Sequence, residues 1–129
     1  MNNSLTQDQP GKIYGPYDVS VSKSQSDEYC RIFGISPRRS LPPLIYVAFA
    51  LTKLINELGI ISKDFETIHG GQEVKWHKPV TPGEKITAKC KLKSNIERKK
   101  IRFASITVEY ISGNDTIGKS TTVIIIKQG

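Results

Sequence analysis

The chain has 129 residues and a formal net charge of +7. That length supports one domain with a real core, and two cysteines are too few for a disulfide framework. No apolar run approaches the ~20 residues of a membrane-spanning helix, and the polar stretch from Met1 to Gly11 has no apolar signal core, so a soluble, cytoplasmic protein is expected.

The charge is unevenly spread. Up to Val74, seven Lys/Arg stand against eight Asp/Glu; from Lys75 onward, twelve stand against four. A positive field of this kind attracts anionic partners: nucleic acid, a phosphorylated cofactor or an acidic protein. A solubilising lysine surface explains it equally well. Cys30 and Cys90 sit among apolar or alternating residues and read as lone buried thiols, not as a metal or redox pair, and no metal site is expected.

Residues 1–11 read as a loose tail ending at Pro10-Gly11, with one folded domain over 12–129. Ile13 to Val21 reads as a short strand interrupted by Gly15-Pro16. Ser22 to Phe33 allows a short helix with Tyr29, Ile32 and Phe33 on its apolar side, stopped by Gly34. A proline-rich loop from Ser36 to Pro43 follows, and Pro43 suits the first turn of the next helix.

That helix is predicted over Leu44–Leu58, with Gly59 as its stop. Leu44, Val47, Ala48, Leu51, Leu54, Ile55 and Leu58 follow helical spacing. Ile45, Tyr46, Phe49 and Ala50 make its first half apolar all round, and such a helix must be enclosed.

Four strands are predicted to supply the enclosure. Thr67–His77 is the first. Glu84–Lys93 is the second, with Ile86, Ala88, Cys90 and Leu92 inward and Lys85, Thr87, Lys89, Lys91 and Lys93 outward. Lys100–Ile111 is the third, and its uneven apolar phase allows a bulge. Ser112-Gly113-Asn114-Asp115 is a hairpin turn. Thr116–Lys127 is the fourth, and Val123 to Ile126 suggests cover on both faces.

One buried helix with about five antiparallel strands is an α+β layout in which a curved sheet wraps a long central helix. Pairing edge strands between two chains would remove an exposed edge, so a dimer is expected.

The run from Ile68 to Glu84 joins polar chemistry to backbone permissiveness. Its glycines admit the close approach of another backbone or a ligand, and His69 and Gln72 are the polar groups placed to use that access. Ile68-His69-Gly70-Gly71-Gln72, then His77-Lys78-Pro79 and Pro82-Gly83-Glu84, resembles the MaoC-like hydratase/dehydratase group of hot-dog proteins. The likeness is strongest to the N-terminal half of double-hot-dog enoyl-CoA hydratases. Pro42-Pro43 and Gly15-Pro16-Tyr17 agree with it, and it covers roughly residues 13–127.

The resemblance implies addition or removal of water across a double bond next to a thioester, with an Asp and a His moving the proton. In catalytic members these lie in a Gly-Asp-x-Asn-Pro-x-His segment. Here that place is held by Phe33-Gly34-Ile35-Ser36-Pro37-Arg38-Arg39-Ser40, which has no Asp, Asn or His. Arginine does not titrate near neutral pH and cannot replace them. The catalytic residues are therefore not assigned to this chain.

The resemblance thus implies an acyl-thioester-binding subunit of an (R)-specific enoyl-CoA hydratase or 3-hydroxyacyl dehydratase complex. Coenzyme A would enter only as part of the substrate, with no other cofactor; an acyl-carrier-protein thioester is the other form. A homodimer, or a heterodimer with a hot-dog subunit that carries the dyad, is the expected assembly.

His69, Gly70, Gly71 and Gln72 are the candidate substrate-binding or structural positions, and each has a plain alternative in holding a loop, a strand seam or a dimer seam. Arg38, Arg39, Lys91, Lys93, Arg98, Lys99 and Lys100 are candidate contacts for coenzyme A phosphates, or a solvated face. His77 and Trp76 read as surface and as interface or core, respectively. A non-catalytic acyl-CoA-binding scaffold is the alternative function. A thioesterase would need a carboxylate that only Glu73, pointing inward, offers. Nucleic-acid binding lacks the interleaved aromatics it would need.

Overall fold

The computed structural model describes residues 5, 7–34, 36, 42–60 and 65–128. Its elements are β1 (Ile13–Asp18), α1 (Lys23–Phe33), α2 (Pro43–Leu58), β2 (Phe65–Trp76), β3 (Thr87–Arg98), β4 (Ile101–Ser112) and β5 (Asp115–Gln128). The strands form one antiparallel sheet in the order β1-β3-β4-β5-β2.

Local chemistry sets the helix limits. The Ser22 hydroxyl accepts from the Gln25 backbone N–H at 3.1 Å, and the Gln25 side chain accepts from the Ser22 N–H at 2.8 Å, which closes a capping box. Gly34 ends α1 in the left-handed conformation. Pro43 occupies the first turn of α2, where a missing N–H costs nothing, and Gly59 ends it with its N–H on the Ile55 carbonyl at 3.1 Å.

The strand periodicity reads directly into burial. Ile86, Ala88, Cys90 and Leu92 are fully buried, while Lys89, Lys91 and Lys93 are exposed. Ala104, Ile106, Val108 and Tyr110 of β4 alternate inward without a break. The anticipated irregularity lies in other strands: Lys93 is the extra residue in β3, Gly70 in β2 and Ile117 in β5. β4 looked uneven because Ile101, Phe103 and Ile111 are apolar on its outer face.

Three expectations from sequence are corrected here. The long helix is not enclosed by one chain: Ile45, Tyr46, Val47, Ala50, Leu54 and Leu58 are buried, but Leu44 is 61% exposed, Ala48 is exposed, and Leu51 and Ile55 are half-buried. Val123 to Ile126 is covered on one face only. Ile124 and Ile126 point into the core, whereas Val123 and Ile125 are half-buried beside the exposed Phe103 and Ile96.

The described part of the expected tail is held. Leu5 is fully buried, the Asn95 amide donates to the Leu5 and Asp8 carbonyls at 2.7 and 3.0 Å, and Gly11 N–H donates to Leu92. Arg102 in turn fixes Asn95, donating to its Oδ1 at 2.8 Å. Among the described residues, no helix is long and apolar enough to cross a membrane.

Candidate functional site

β2 is an edge strand, and a single extra residue decides what it presents. In a regular strand, residues three apart face opposite sides. His69 and Gln72 do not, because Gly70 is inserted between the pairs His69↔Ile124 and Gln72↔Thr122. Ile124 and Thr122 are both inward and buried, so both polar residues share the inner face of the edge.

The two glycines play different parts. A Cβ on Gly70 would lie 2.7 Å from Ile125 Cδ1 on the outer face, a contact that the half-buried Ile125 side chain could relieve by shifting; Gly71 has nothing within 4 Å.

His69 borders an apolar cleft of ≈ 120 Å³. Leu51 and Ile55 of α2 form one wall, Thr67, Ile68 and His69 of β2 the other, and Thr122 and Ile124 of β5 the floor. Within that lining His69 is the titratable side chain, and it has no hydrogen-bond partner among the described residues. Thr67 is satisfied, its hydroxyl donating to the Ile60 carbonyl at 2.5 Å and tying the start of β2 to the end of α2.

Further along the same face Trp76 packs between Tyr46 and Tyr110, at centroid distances of 5.8 and 5.0 Å, and lies over Gly118. Trp76 is thus a core wedge that fixes β2 to the sheet. Burial pushes the Cys90 thiol up to about 12 and the Tyr46 hydroxyl also to about 12, so neither ionises near neutral pH.

The carboxylates lie elsewhere. A wider, shallow depression of ≈ 280 Å³ is lined by Asp8, Lys12, Ile13, Tyr14, Gly15 and Glu57. There the Tyr14 hydroxyl donates to Asp8 at 2.6 Å and the Tyr17 hydroxyl to Glu57 at 2.7 Å. Burial, then these hydrogen bonds, hold both phenols far above their ordinary range. This cluster borders β1, at the other edge of the sheet from His69. Asp8 and Glu57 accept from Tyr14 and Tyr17, and neither carboxylate is in the lining of the His69 cleft. Glu73 does not point inward either: it opposes Thr121 on the outer face, exposed and 3.6 Å from Lys75.

The candidate cations are not brought to the cleft. Arg38 and Arg39 lie outside the described residues. Lys91 and Lys93 are exposed on β3, and Arg98, Lys99 and Lys100 are exposed at the β3–β4 turn. That turn lies at the end of the sheet where β2 begins, since Ile101 pairs with Lys127 and Lys127 with Glu66. His77 is exposed, with its backbone N–H on the Ile117 carbonyl at 2.8 Å. Among the described residues no three His, Cys, Asp or Glu side chains gather as metal ligands.

Sequence reasoning found His69 but missed the rest of the lining, and Gln72, though on the same face, is not part of it. Leu51 and Ile55 differ by one helical turn, which marks a shared face. Thr122 is a hydroxyl at an inward position, and both signals were readable only once the face was known.

Comparison with known proteins gives this geometry a family. The family model described as FAS1-like, dehydratase domain region, matches residues 36–117. An (R)-hydratase from A. caviae, involved in PHA biosynthesis, superposes with TM-score 0.72 at 16% identity, over 95% of this chain and 98% of that one. A MaoC-like dehydratase from Rhodospirillum rubrum gives TM-score 0.74 at 12% identity, over 97% of each chain. The C-terminally truncated HadBC (3R-hydroxyacyl-ACP dehydratase) complex from Mycobacterium tuberculosis gives 0.71 at 15%, over 92% of this chain and 98% of that one. Among curated proteins, none matches the chain in sequence. The chain belongs to the family of the FAS1-like dehydratase domain region, and its architecture is the hot-dog fold of MaoC-like dehydratases and (R)-hydratases.

Proposed function

We propose that the chain is the acyl-thioester-binding subunit of a hydratase/dehydratase complex acting on short enoyl or 3-hydroxyacyl thioesters. The observation that carries this reading is the apolar cleft between α2 and the open edge strand β2, with His69 as its titratable group. Leu51, Ile55 and Ile124 suit an acyl chain, and His69 at the mouth suits a carbonyl oxygen. The lining holds no carboxylate, and residues 33–40 hold neither Asp nor His. A dyad from a second hot-dog subunit completes the chemistry in this reading.

The open edge of β2 and the uncovered stripe of α2 support such a partner, and the likeness to a dehydratase complex agrees with it. Arg98, Lys99 and Lys100 make no ion pair among the described residues. In this reading they are the candidates, among the described residues, for contacts to thioester phosphates.

The test is hydration of crotonyl-CoA, followed by loss of the enoyl absorbance. The chain is assayed alone and co-purified with hot-dog proteins encoded beside it. Turnover with a partner that carries the Asp/His segment is expected, and a His69→Ala subunit should raise KM while leaving the melting temperature unchanged. Thioester binding without turnover in any pairing would favour the acyl-CoA-binding scaffold instead. Absence of both binding and turnover refutes the reading.

A further inference from the structure

The outer face of the sheet, turned away from the core that holds α2, carries an apolar row left in solvent. Ile96 of β3 stands opposite Phe103 of β4, Phe103 opposite Ile125 of β5, and Ile125 opposite Ile68 of β2. Four adjacent strands thus place one apolar side chain each at the same level of the sheet. Ile96 is 49% exposed and Phe103 38%, while Ile125 and Ile68 are half-buried. Apolar groups scattered singly on a surface mean nothing, but a continuous row marks a contact surface.

Cations border that row. One step toward the β3–β4 turn, the facing positions are Arg98, Ile101, Lys127 and Glu66. The turn adds Lys99 and Lys100 at its tip. Arg98, Lys99, Lys100 and Lys127 are exposed and make no ion pair among the described residues. Glu97 is already held by Arg102 at 3.2 Å, which leaves Glu66 as the opposing carboxylate.

A basic rim alone fits any polyanion, thioester phosphates included, but phosphates do not account for the apolar row. A second copy of this face would bring the same charge against it. A protein interface of standard size carries about ten hydrogen bonds, whereas the four side chains of the row have no polar group and the strand backbone between them is spent on the sheet. An anionic bilayer needs no directional partner, only apolar groups and cations on one front.

We propose that the outer face at the β3–β4 end is a docking surface for an anionic membrane. Ile96 and Phe103 enter the headgroup region, and Arg98, Lys99, Lys100 and Lys127 meet the lipid phosphates. Attachment is peripheral and reversible, with each cation contributing roughly fivefold in affinity. The proposal does not rest on the thioester reading: the cations are shared with it, and the apolar row is what separates the two.

The test is co-sedimentation of the full chain with phosphatidylcholine vesicles, with and without phosphatidylglycerol, at two ionic strengths. Wild type should sediment with the anionic vesicles only, and less at the higher salt. Phe103→Ser and Ile96→Ser should each lower the vesicle affinity roughly five- to tenfold, and Lys99→Gln with Lys100→Gln roughly twenty-fivefold. Lys75→Gln removes an exposed cation at the far end of the same face and should leave the affinity unchanged. Either apolar variant, shown to be folded by circular dichroism, decides the role of the row.

No sedimentation of wild type with anionic vesicles overturns the proposal and leaves the thioester reading standing. Equal sedimentation of wild type and the apolar variants reduces the binding to a field effect of the cations and overturns it as well. So does light scattering in which Phe103→Ser splits a wild-type oligomer, which assigns the row to a subunit interface. If both apolar variants unfold, the row belongs to folding and the proposal falls.

Discussion

The β3–β4 turn carries two adjacent lysines where side chains are unwelcome. Lys99 and Lys100 have φ values of 50° and 66°, the left-handed pair that a two-residue hairpin turn demands. Asn-Gly is the sequence that such a turn favours. A residue with a Cβ costs about 1 kcal/mol in this region. Replacing the pair by Asn-Gly removes the Cβ at position 100 only, since Asn keeps its own, and should therefore stabilise the fold by about 1 kcal/mol. With an unfolding entropy of ~2.1 cal/mol/K per residue over 129 residues, the melting temperature should rise by about 4 °C.

The same exchange removes two unpaired charges. If the turn meets thioester phosphates, the affinity for crotonyl-CoA should fall roughly tenfold at low salt, and its salt dependence should flatten. Calorimetric titration at two ionic strengths and a thermal melt read both effects. A melting temperature that stays level or falls would refute the strain argument. An unchanged affinity and salt slope would remove the turn from the binding surface.

Trp76 allows a sharper packing prediction. A Cβ on Gly118 would lie 2.2 Å from Trp76 Cε3, and the ring is confined by Tyr46 and Tyr110. Gly118→Ala should cost ~2–3 kcal/mol, whereas Gly71→Ala, with open space, should be neutral or slightly stabilising; denaturant unfolding of both variants checks the contrast. Cys90 predicts the alkaline limit. Its thiol is raised in the folded state from its ordinary 9 to about 12, so the folded chain keeps a proton that the unfolded chain releases. Stability is then full below pH 9 and falls above it by up to ~1.4 kcal/mol per pH unit. Cys90→Ala should flatten that fall between pH 9 and 10, at the expense of a cavity, as urea midpoints taken against pH would show.

The fold was legible where one rule governed a segment. Ser22, Gly34, Pro43 and Gly59 act locally, so helix ends followed from sequence. The Lys/apolar alternation of β3 admits one orientation. The break at Gly15-Pro16 was legible, and the register of β1 shifts there; the bulges in β2, β3 and β5 were not, because they depend on cross-strand register: nothing in His69-Gly70-Gly71-Gln72 alone says which glycine is the inserted one. The cleft joins residues 51 and 55 to 67–69, 122 and 124, and such a constellation exists only after the sheet has formed. Thr122 was hidden for the same reason, since an exposed and a buried threonine look alike in a strand of mixed character.

The remaining surface of α2 bears on the assembly. Leu44, Ala48, Leu51 and Ile55 recur at intervals of four, three and four residues, which is one continuous stripe. Leu51 and Ile55 lie against β2 at the cleft, and β2 is the sheet edge. The stripe and the edge are thus neighbours, and a second hot-dog subunit covering both would bury the exposed apolar groups and pair the open strand in one step. A stable interface needs on the order of 1,000 Å² or more, and a 12-residue strand beside a 16-residue helix is long enough to supply it. Ala48→Arg tests this without touching the core, because Ala48 is exposed in the single chain. It places a charge where a partner would exclude water, so it should shift the protein to monomer in light scattering while the far-ultraviolet circular dichroism of the fold is kept. A wild type that is monomeric at tens of micromolar, alone and with every hot-dog candidate partner, would break the link between the uncovered helix stripe and a second subunit. An Ala48→Arg protein that still assembles would place the interface on another face.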